Sequence, residues 1–214
     1  MKKGYPLFLN LEGEPCLVFG GGKVALRKIQ ALLKRGAKVT CMSKEFCAPL
    51  GRLAKKARHP EGQRPEGSQI LRFAQDDGLV LKRIRHERVS LNGARLVIAA
   101  TSDREFNARV VRECRRRKIW VNVVDDPALC DFTVPAVMEK GPLQIAISTG
   151  GASPLFAKRL REELEKAIPE STGKMLERIG KARHLMTRHP EATKWPKDLR
   201  SFAPLRMTKG KTSQ

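Results

Sequence analysis

Three consecutive glycines follow a short apolar run in this chain, with the spacing of a phosphate-binding turn. The run Cys16–Phe19 leads into Gly20-x-Gly22-x-x-Ala25, and a helix is predicted over residues 23–35. The first glycine permits a tight turn, the second lets backbone N–H groups approach a pyrophosphate, and the small Ala25 lets helix and strand pack closely. The sequence therefore predicts a dinucleotide site; the alternative is a glycine turn without a ligand. The predicted contacts are Gly20, Gly21, Gly22, Lys23 and Val24.

Two adjacent carboxylates, Asp125 and Asp126, follow the predicted buried strand Trp120–Val124 and precede Pro127. Ligands of an open α/β sheet bind beyond the carboxyl ends of its strands, so Asp125 occupies a site position. A carboxylate there can accept a proton when a substrate is oxidised. The alternative is an Asx-type turn before the proline. Spacing alone favours the turn, and of the two carboxylates Asp126 is the weaker catalytic candidate.

Polar residues also follow two other predicted strands. They are Ser43, Lys44 and Glu45 after Lys38–Met42, and Thr101, Asp103 and Asn107 after Leu96–Ala100. The first group lies where a Rossmann site meets the adenosine ribose, and an acidic residue there favours NAD over NADP. Glu45 fits that role, but Lys44 beside it leaves the choice open. Thr101 and Asp103 are predicted near the cofactor, and Asn107 is predicted to face the substrate.

A loop of small residues precedes a helix predicted from Pro154, since proline is favoured in a first helical turn. We expect Ser148, Thr149, Gly150 and Ser153 to bind substrate carboxylates through hydroxyl and backbone N–H groups beside the helix N-terminus. The alternative for each hydroxyl is an ordinary helix-capping role.

Apolar runs and helical patterns alternate through the first part of the chain, which favours a parallel sheet. A short strand is predicted at Leu7–Asn10, another at Leu79–Ile84, and helices at Phe46–Lys56 and Glu105–Lys118. The predicted fold is α/β, a Rossmann-type parallel sheet followed by a small β-hairpin and helical dimerisation region.

The pattern changes after Pro127. Two extended runs, Phe132–Met138 and Leu143–Ser148, flank a turn signal, and helices are predicted over 154–167 and 171–186. We expect a nucleotide-binding domain over 1–126, a dimerisation and substrate region over 127–187 and a tail over 188–214. The tetrapeptide Arg-His-Pro-Glu recurs at 58 and 188, so 58–77 is predicted to be an inserted surface loop.

The composition limits the classes of partner. The net charge is +21, but aromatic residues are only 5%, which argues against a base-stacking surface for nucleic acid. The chain contains no run of about 18 apolar residues, the length that would predict a membrane span. The five cysteines are scattered without metal-ligand or CxxC spacing, as expected of a cytoplasmic protein with reduced thiols and no metal site.

Four stretches together resemble the precorrin-2 dehydrogenase / sirohydrochlorin ferrochelatase family, which includes the N-terminal module of siroheme synthase. They are YPLFLNLEGEPCLVFGGGKVALRK (5–28), LVIAATSDREFNARV (96–110), VNVVDDPALCDFTVPAVM (121–138) and GPLQIAISTGGASPLFAKRLREELE (141–165). The run NVVDDP followed by FTVPA and ISTGGASP is far more specific than the glycine turn. The family has no equivalent of residues 58–77.

The resemblance implies oxidation of precorrin-2 to sirohydrochlorin with NAD⁺ by a homodimer, with Asp125 as the key catalytic group. Many members then insert Fe²⁺, which the tetrapyrrole nitrogens would hold transiently. The competing hypothesis is an NAD-binding or basic polyanion-binding module without catalysis, and a decayed product is a third. Turnover of precorrin-2 separates the first hypothesis from the others; salt-sensitive polyanion binding without turnover marks the second.

Overall fold

The computed structural model describes residues 4–56, 78–84, 89–91 and 93–188. These form two compact units, one that ends at Val134 and one that begins at Pro135. The first unit extends past the expected boundary at 126 because the segment after Asp126 bonds back to the last strand of the sheet. The predicted insertion at 58–77 and the tail beyond Arg188 lie outside the described residues.

The N-terminal unit is a five-stranded parallel sheet with helices, in the strand order β3-β2-β1-β4-β5. Its elements are β1 (Pro15–Phe19), α1 (Lys23–Leu33), β2 (Lys38–Ser43), α2 (Ala48–Lys56), β3 (Leu79–Arg83), β4 (Leu96–Ala99), α3 (Arg104–Arg116), β5 (Trp120–Val123) and a 3₁₀ turn, Pro127–Leu129. The order reverses between β1 and β4, where ligands bind in doubly wound folds. The predicted Rossmann-type fold is confirmed.

Each face of this sheet is covered by an apolar layer. On one side α1 buries Ala25, Ile29 and Leu32, whose spacing of four and three residues forms a single helical stripe. The other core layer contains α3, whose Phe106 ring meets Phe19 of β1 edge to face at 5.4 Å. Burying a side chain as large as Ile29, Leu32 or Phe106 contributes roughly 1.5–3 kcal/mol to the free energy of unfolding. The apolar stripes of α1 and α3 therefore hold both helices against the sheet.

Two predicted strands differ from the observed ones. Leu7–Asn10 forms no strand; Leu9 packs against the core, while Leu7 and Phe8 are exposed. A strand needs a hydrogen-bonded neighbour, and both sides of β1, the next strand along the chain, are taken by β2 and β4. The run predicted from Phe132 becomes a strand only at Ala136. Its first residue, Phe132, instead accepts a hydrogen bond from the Asn122 side chain of β5 at 2.9 Å.

The C-terminal unit consists of β6 (Ala136–Lys140) and β7 (Leu143–Ile147), which form an antiparallel hairpin, followed by α4 (Pro154–Ala167) and α5 (Glu170–Arg188). The helix predicted from Pro154 is confirmed: the Ser153 hydroxyl accepts the Phe156 N–H at 3.1 Å, and Pro154 occupies the first helical turn. Met138 and Ala157 are the buried apolar residues of the described part of this unit.

A close backbone contact joins α5 to the hairpin turn. A Cβ added at Gly173 would lie 2.6 Å from the Lys140 carbonyl oxygen, whereas one at Gly180, on the same helix, would meet nothing within 4 Å. We expect Gly173→Ala to lower the free energy of unfolding of this unit by ~1–3 kcal/mol through overpacking. Gly180→Ala should raise it by up to ~1 kcal/mol through helix propensity. Equal melting temperatures for the two variants would contradict the contact.

Candidate functional site

The carboxyl ends of the central strands lie side by side because hydrogen bonds continue one residue beyond each strand. The Gly20 N–H donates to the Met42 carbonyl at 2.9 Å, and the Ala100 N–H donates to Phe19 at 2.7 Å. The Val124 N–H donates to Ala99 at 2.9 Å. The glycine turn, the loop after β4 and the turn that contains Asp125 therefore leave the sheet at one edge.

Two of the three glycines are required by the packing of the turn. Gly20 has a φ of +117°, and a Cβ there would lie 2.3 Å from the Ala100 carbonyl oxygen. A Cβ on Gly21 would lie 1.8 Å from the carbonyl oxygen of Glu45. The end of β2 and the segment after it thus pass directly over the glycine turn, with the Ser43 hydroxyl and the Glu45 carbonyl against Gly21 and the exposed Lys44 between them in the chain.

The carbonyl groups of the turn are turned into the protein. The Cys41 thiol donates to the Gly20 carbonyl at 3.2 Å, and the Cys47 N–H donates to the Gly21 carbonyl at 2.8 Å. Burial raises the pKa of the Cys41 thiol to about 12, so it stays a protonated donor at neutral pH. With these carbonyls engaged, the turn is fixed at the N-terminus of α1.

Gly22 is different, because nothing in the fold requires it to be glycine. Its φ is −84°, and a Cβ there would meet no atom within 4 Å. The residue is exposed and precedes the first turn of α1, where backbone N–H groups have no partner within the helix. Open space over free N–H groups fits a pyrophosphate, with Lys23 and Val24 as the first helical residues.

The loop after β4 is fixed by a pair of side-chain bonds. The Thr101 hydroxyl donates to the Asn107 side-chain oxygen at 2.7 Å, and the Asn107 amide donates back to the Thr101 carbonyl at 3.0 Å. Asp103 caps α3 by accepting the Phe106 N–H at 2.9 Å. Asn107 is buried, and both ends of its amide group bond to Thr101.

Asp125 has an unusual backbone conformation. Its φ is +61°, and among the described non-glycine residues only Lys118 shares a positive value. Lys118 lies just beyond the C-terminal end of α3, where the left-handed conformation is common. No helix end explains Asp125, which is exposed in the turn directly after β5. Strained backbone of this kind concentrates at functional sites, and aspartate tolerates it better than most residues.

A half-buried cation lies near this turn. Burial lowers the pKa of Lys28, on α1, and the like charge of Arg27 lowers it further. Asp125 and the Cys130 side chain act on Lys28 in the opposite sense. The ammonium group of Lys28 therefore contributes positive potential where the Asp125 carboxylate is presented.

The loop before α4 makes its own hydrogen bonds. The Ser148 hydroxyl accepts the Gly150 N–H at 3.2 Å, and the Thr149 hydroxyl accepts the Ser153 N–H at 3.1 Å. Gly150 has a φ of +61°. The capping role weighed for Ser153 is present, since it accepts the Phe156 N–H.

Across the described ranges, no cluster of three or more His, Cys, Asp or Glu side chains could hold a metal ion. Iron handled as a substrate by tetrapyrrole nitrogens needs no such cluster, so iron insertion stays a prediction. Within the same residues, no helix has the length and apolar character needed to cross a membrane.

The strand order, the glycine turn and the open space at Gly22 define a Rossmann-type dinucleotide-binding protein. The family described as putative NAD(P)-binding matches residues 7–136, and the one described as sirohaem biosynthesis protein central matches residues 140–167. The chain belongs to this NAD(P)-binding family, and the cofactor is a nicotinamide dinucleotide.

Similar proteins confirm the resemblance to siroheme synthase. The siroheme synthase of Methylococcus capsulatus is 42% identical over 169 residues, which are 78% of this chain and 31% of that protein. The siroheme synthase of Methylobacillus flagellatus is 40% identical over 175 residues, 79% of this chain and 32% of that protein. This chain thus spans about a third of these relatives. A solved structure described as SirC, precorrin-2 dehydrogenase, superposes with a TM-score of 0.63 at 26% identity, covering 92% of this chain and 85% of that one.

Sequence reasoning missed several residues that shape the site. Cys41, Lys28 and Cys130 carried no pattern that separates them from ordinary core or surface residues. Asn122 did carry a signal: it is a polar residue inside the otherwise apolar strand Trp120–Val123, and the structure buries it. A buried amide needs partners, so its presence in a strand predicts a hydrogen-bonded neighbour beside that strand.

Proposed function

We propose that this chain is an NAD⁺-dependent dehydrogenase that oxidises precorrin-2 to sirohydrochlorin in siroheme biosynthesis. The observation that carries the proposal is the alignment of three segments at one sheet edge by the bonds of Gly20, Ala100 and Val124. That alignment brings a dinucleotide-binding turn and the strained Asp125 to one side of the molecule. The similar proteins are named siroheme synthase and precorrin-2 dehydrogenase, which supports the proposal.

The chain's own residues would hold the cofactor in three places. The N–H groups at Gly22, Lys23 and Val24 would bind the pyrophosphate, and the segment 43–45 would meet the adenosine ribose. Thr101 and Asp103 belong to the neighbouring loop. A bound nicotinamide supplies a hydride acceptor. We propose NAD⁺ rather than NADP⁺ because Glu45 is exposed just after β2, where a carboxylate favours a ribose hydroxyl over a phosphate.

Asp125 would accept the proton that is lost when the substrate gives up a hydride. Its exposure leaves the carboxylate open to a substrate, and the charge of the carboxylate acts on the half-buried Lys28 of α1. Asp126 is less suited, because it is half-buried and leads directly into the 3₁₀ turn. We therefore propose Asp125 as the base.

The substrate contacts proposed for the second unit are Ser148, Thr149, Gly150 and Ser153. Each of the three hydroxyls accepts a backbone N–H and retains its own O–H to donate to a substrate carboxylate. For Asn107, whose amide is engaged with Thr101, we propose that it acts on the site by holding the loop after β4.

The test is oxidation of precorrin-2 by the purified full chain with NAD⁺, followed by absorbance. We expect turnover with NAD⁺ and a higher kcat/KM than with NADP⁺. Equal use of both cofactors would contradict the role of Glu45 only. Absence of turnover, with polyanion binding that weakens steeply as salt is raised, would instead support the binding-module hypothesis.

We also propose that the chain forms a two-fold dimer through its C-terminal unit. A hairpin of two strands is marginally stable by itself, and this unit leaves Leu155 61% and Phe156 59% exposed. Light scattering should give twice the 24.0 kDa chain mass at micromolar concentration, and Leu155→Lys should shift the protein toward monomer. A wild-type monomer at that concentration would contradict the proposal.

A further inference from the structure

The outer edge of β5 is covered by the segment that follows it rather than by another strand. The sheet order places β5 at the end of the sheet, next to β4 only. The Val121 N–H donates to the Asp131 carboxylate at 3.1 Å, and the Val121 carbonyl accepts the Asp131 N–H at 2.9 Å. The Val123 N–H donates to the Cys130 sulfur at 3.1 Å. Side chains thus satisfy N–H groups that an edge strand would leave open.

The Cys130 sulfur is the centre of this arrangement. It accepts hydrogen bonds from the Val123 N–H at 3.1 Å and from the Asn122 side-chain amide at 3.4 Å. Its own S–H faces two carbonyl oxygens, that of Val123 at 3.2 Å and that of Asp126 at 3.3 Å. A thiol has one proton and donates to one of them at a time. The sulfur therefore links the last residue of β5 with the chain just beyond Asp125.

Asn122 strengthens the same closure. Its amide also donates to the Phe132 carbonyl at 2.9 Å, on the far side of Cys130. The two residues after Cys130, Asp131 and Phe132, are therefore both bonded to β5. The turn over residues 124–129 is consequently closed at its base by groups that are partly or fully buried.

This closed turn is the one that presents Asp125. A left-handed conformation outside glycine persists only where the surroundings over-determine it, and the φ of Asp125 is +61°. The contact from Cys130 to the Asp126 carbonyl holds the peptide group between Asp126 and Pro127, one residue beyond Asp125. Burial raises the pKa of the Cys130 thiol, so it remains both a donor and an acceptor at neutral pH.

We propose that Cys130 is a positioning residue for Asp125. Its thiol closes the base of the turn over residues 124–129 and so holds the Asp125 carboxylate at the carboxyl end of β5. The inference rests on the proposed function, since the role of Asp125 belongs to it. It assigns no contact between Cys130 and the substrate.

The first test compares Cys130→Ala with Cys130→Ser. Loss of the thiol should lower kcat for precorrin-2 oxidation ~10-fold, within the range caused by small misplacements of reacting groups. Serine keeps a donor and an acceptor and should restore most of kcat. NAD⁺ affinity should stay within about twofold in both, because the glycine turn is untouched. The control is Cys16→Ala, which removes a buried thiol at the second residue of β1 and should leave kcat unchanged.

The second test separates positioning from a purely structural role. If Cys130 acts through Asp125, then Cys130→Ala should cause no further loss of kcat in a chain that already carries Asp125→Asn. An equal loss of kcat in both backgrounds would overturn the proposal. So would a serine variant as slow as the alanine variant.

The third test needs no substrate. Hydrogen exchange of the peptide that covers residues 124–129 should be faster in Cys130→Ala and near wild type in Cys130→Ser and Cys16→Ala. Unchanged exchange in Cys130→Ala would overturn the positioning role even if the wild-type chain does not oxidise precorrin-2. If the wild-type chain does not oxidise precorrin-2 and Cys130→Ala still exchanges faster than wild type, the proposed function is rejected. The closure of the turn by Cys130 is then retained.

Discussion

Replacing Asp125 with asparagine is expected to lower the turnover of precorrin-2 by roughly 10²-fold or more, within the range for a general base. Asparagine tolerates a positive φ, so the backbone at +61° is retained while the basic oxygen is lost. The melting temperature and NAD⁺ affinity should change little, because Asp125 is exposed and makes no part of the glycine turn. The measurements are initial rates, thermal unfolding and NAD⁺ titration.

The matched control is Asp126→Asn, which makes the same chemical change one residue along the chain. It should retain most of the turnover, since we assign no proton transfer to Asp126. Turnover of Asp125→Asn within about threefold of wild type would make Asp125 a turn residue, as the Asx-turn alternative holds. The base would then be sought first at Asp103, although that carboxylate already caps α3.

The second large effect is expected at the glycine turn. Gly22→Asp should weaken NAD⁺ binding at least tenfold, about 1.4 kcal/mol or more, because a carboxylate would enter the space for the pyrophosphate. The fold should tolerate the change, since a Cβ at Gly22 meets no atom within 4 Å. Isothermal titration gives the affinity, and thermal unfolding shows whether the fold is preserved.

Gly21→Ala provides the contrasting variant. Its Cβ would lie 1.8 Å from the Glu45 carbonyl oxygen, so we expect a lower melting temperature as well as weaker NAD⁺ binding. Gly22→Ala should weaken binding without lowering the melting temperature. An NAD⁺ affinity unaffected by Gly22→Asp would remove the cofactor from this turn.

The sequence itself determined the elements of the nucleotide-binding unit. Short apolar runs bounded by glycine and polar turns predict β1, β2, β4 and β5 within one residue at each end. They are specific because strands that are buried on both faces of a parallel sheet consist almost entirely of apolar residues. The stripe of α1 likewise follows from local spacing. The prediction at Leu7–Asn10 was wrong, since β-pattern alone does not supply a pairing partner.

For the site, local sequence was sufficient to predict that Gly20, Gly22 and Asp125 lie at the ends of strands, because strand and turn signals are short-range. Only the tertiary structure decided why each glycine is present. Gly21 is fixed by a carbonyl from the segment after β2, while Gly22 is open to a ligand. It also decided that the amide of Asn107 is engaged within its own loop and that Cys130 closes the turn of Asp125. These features depend on contacts between segments that are distant in the chain, on the burial that keeps the Cys130 thiol protonated and on the left-handed backbone of Asp125. The spacing of residues in the sequence predicts none of the three.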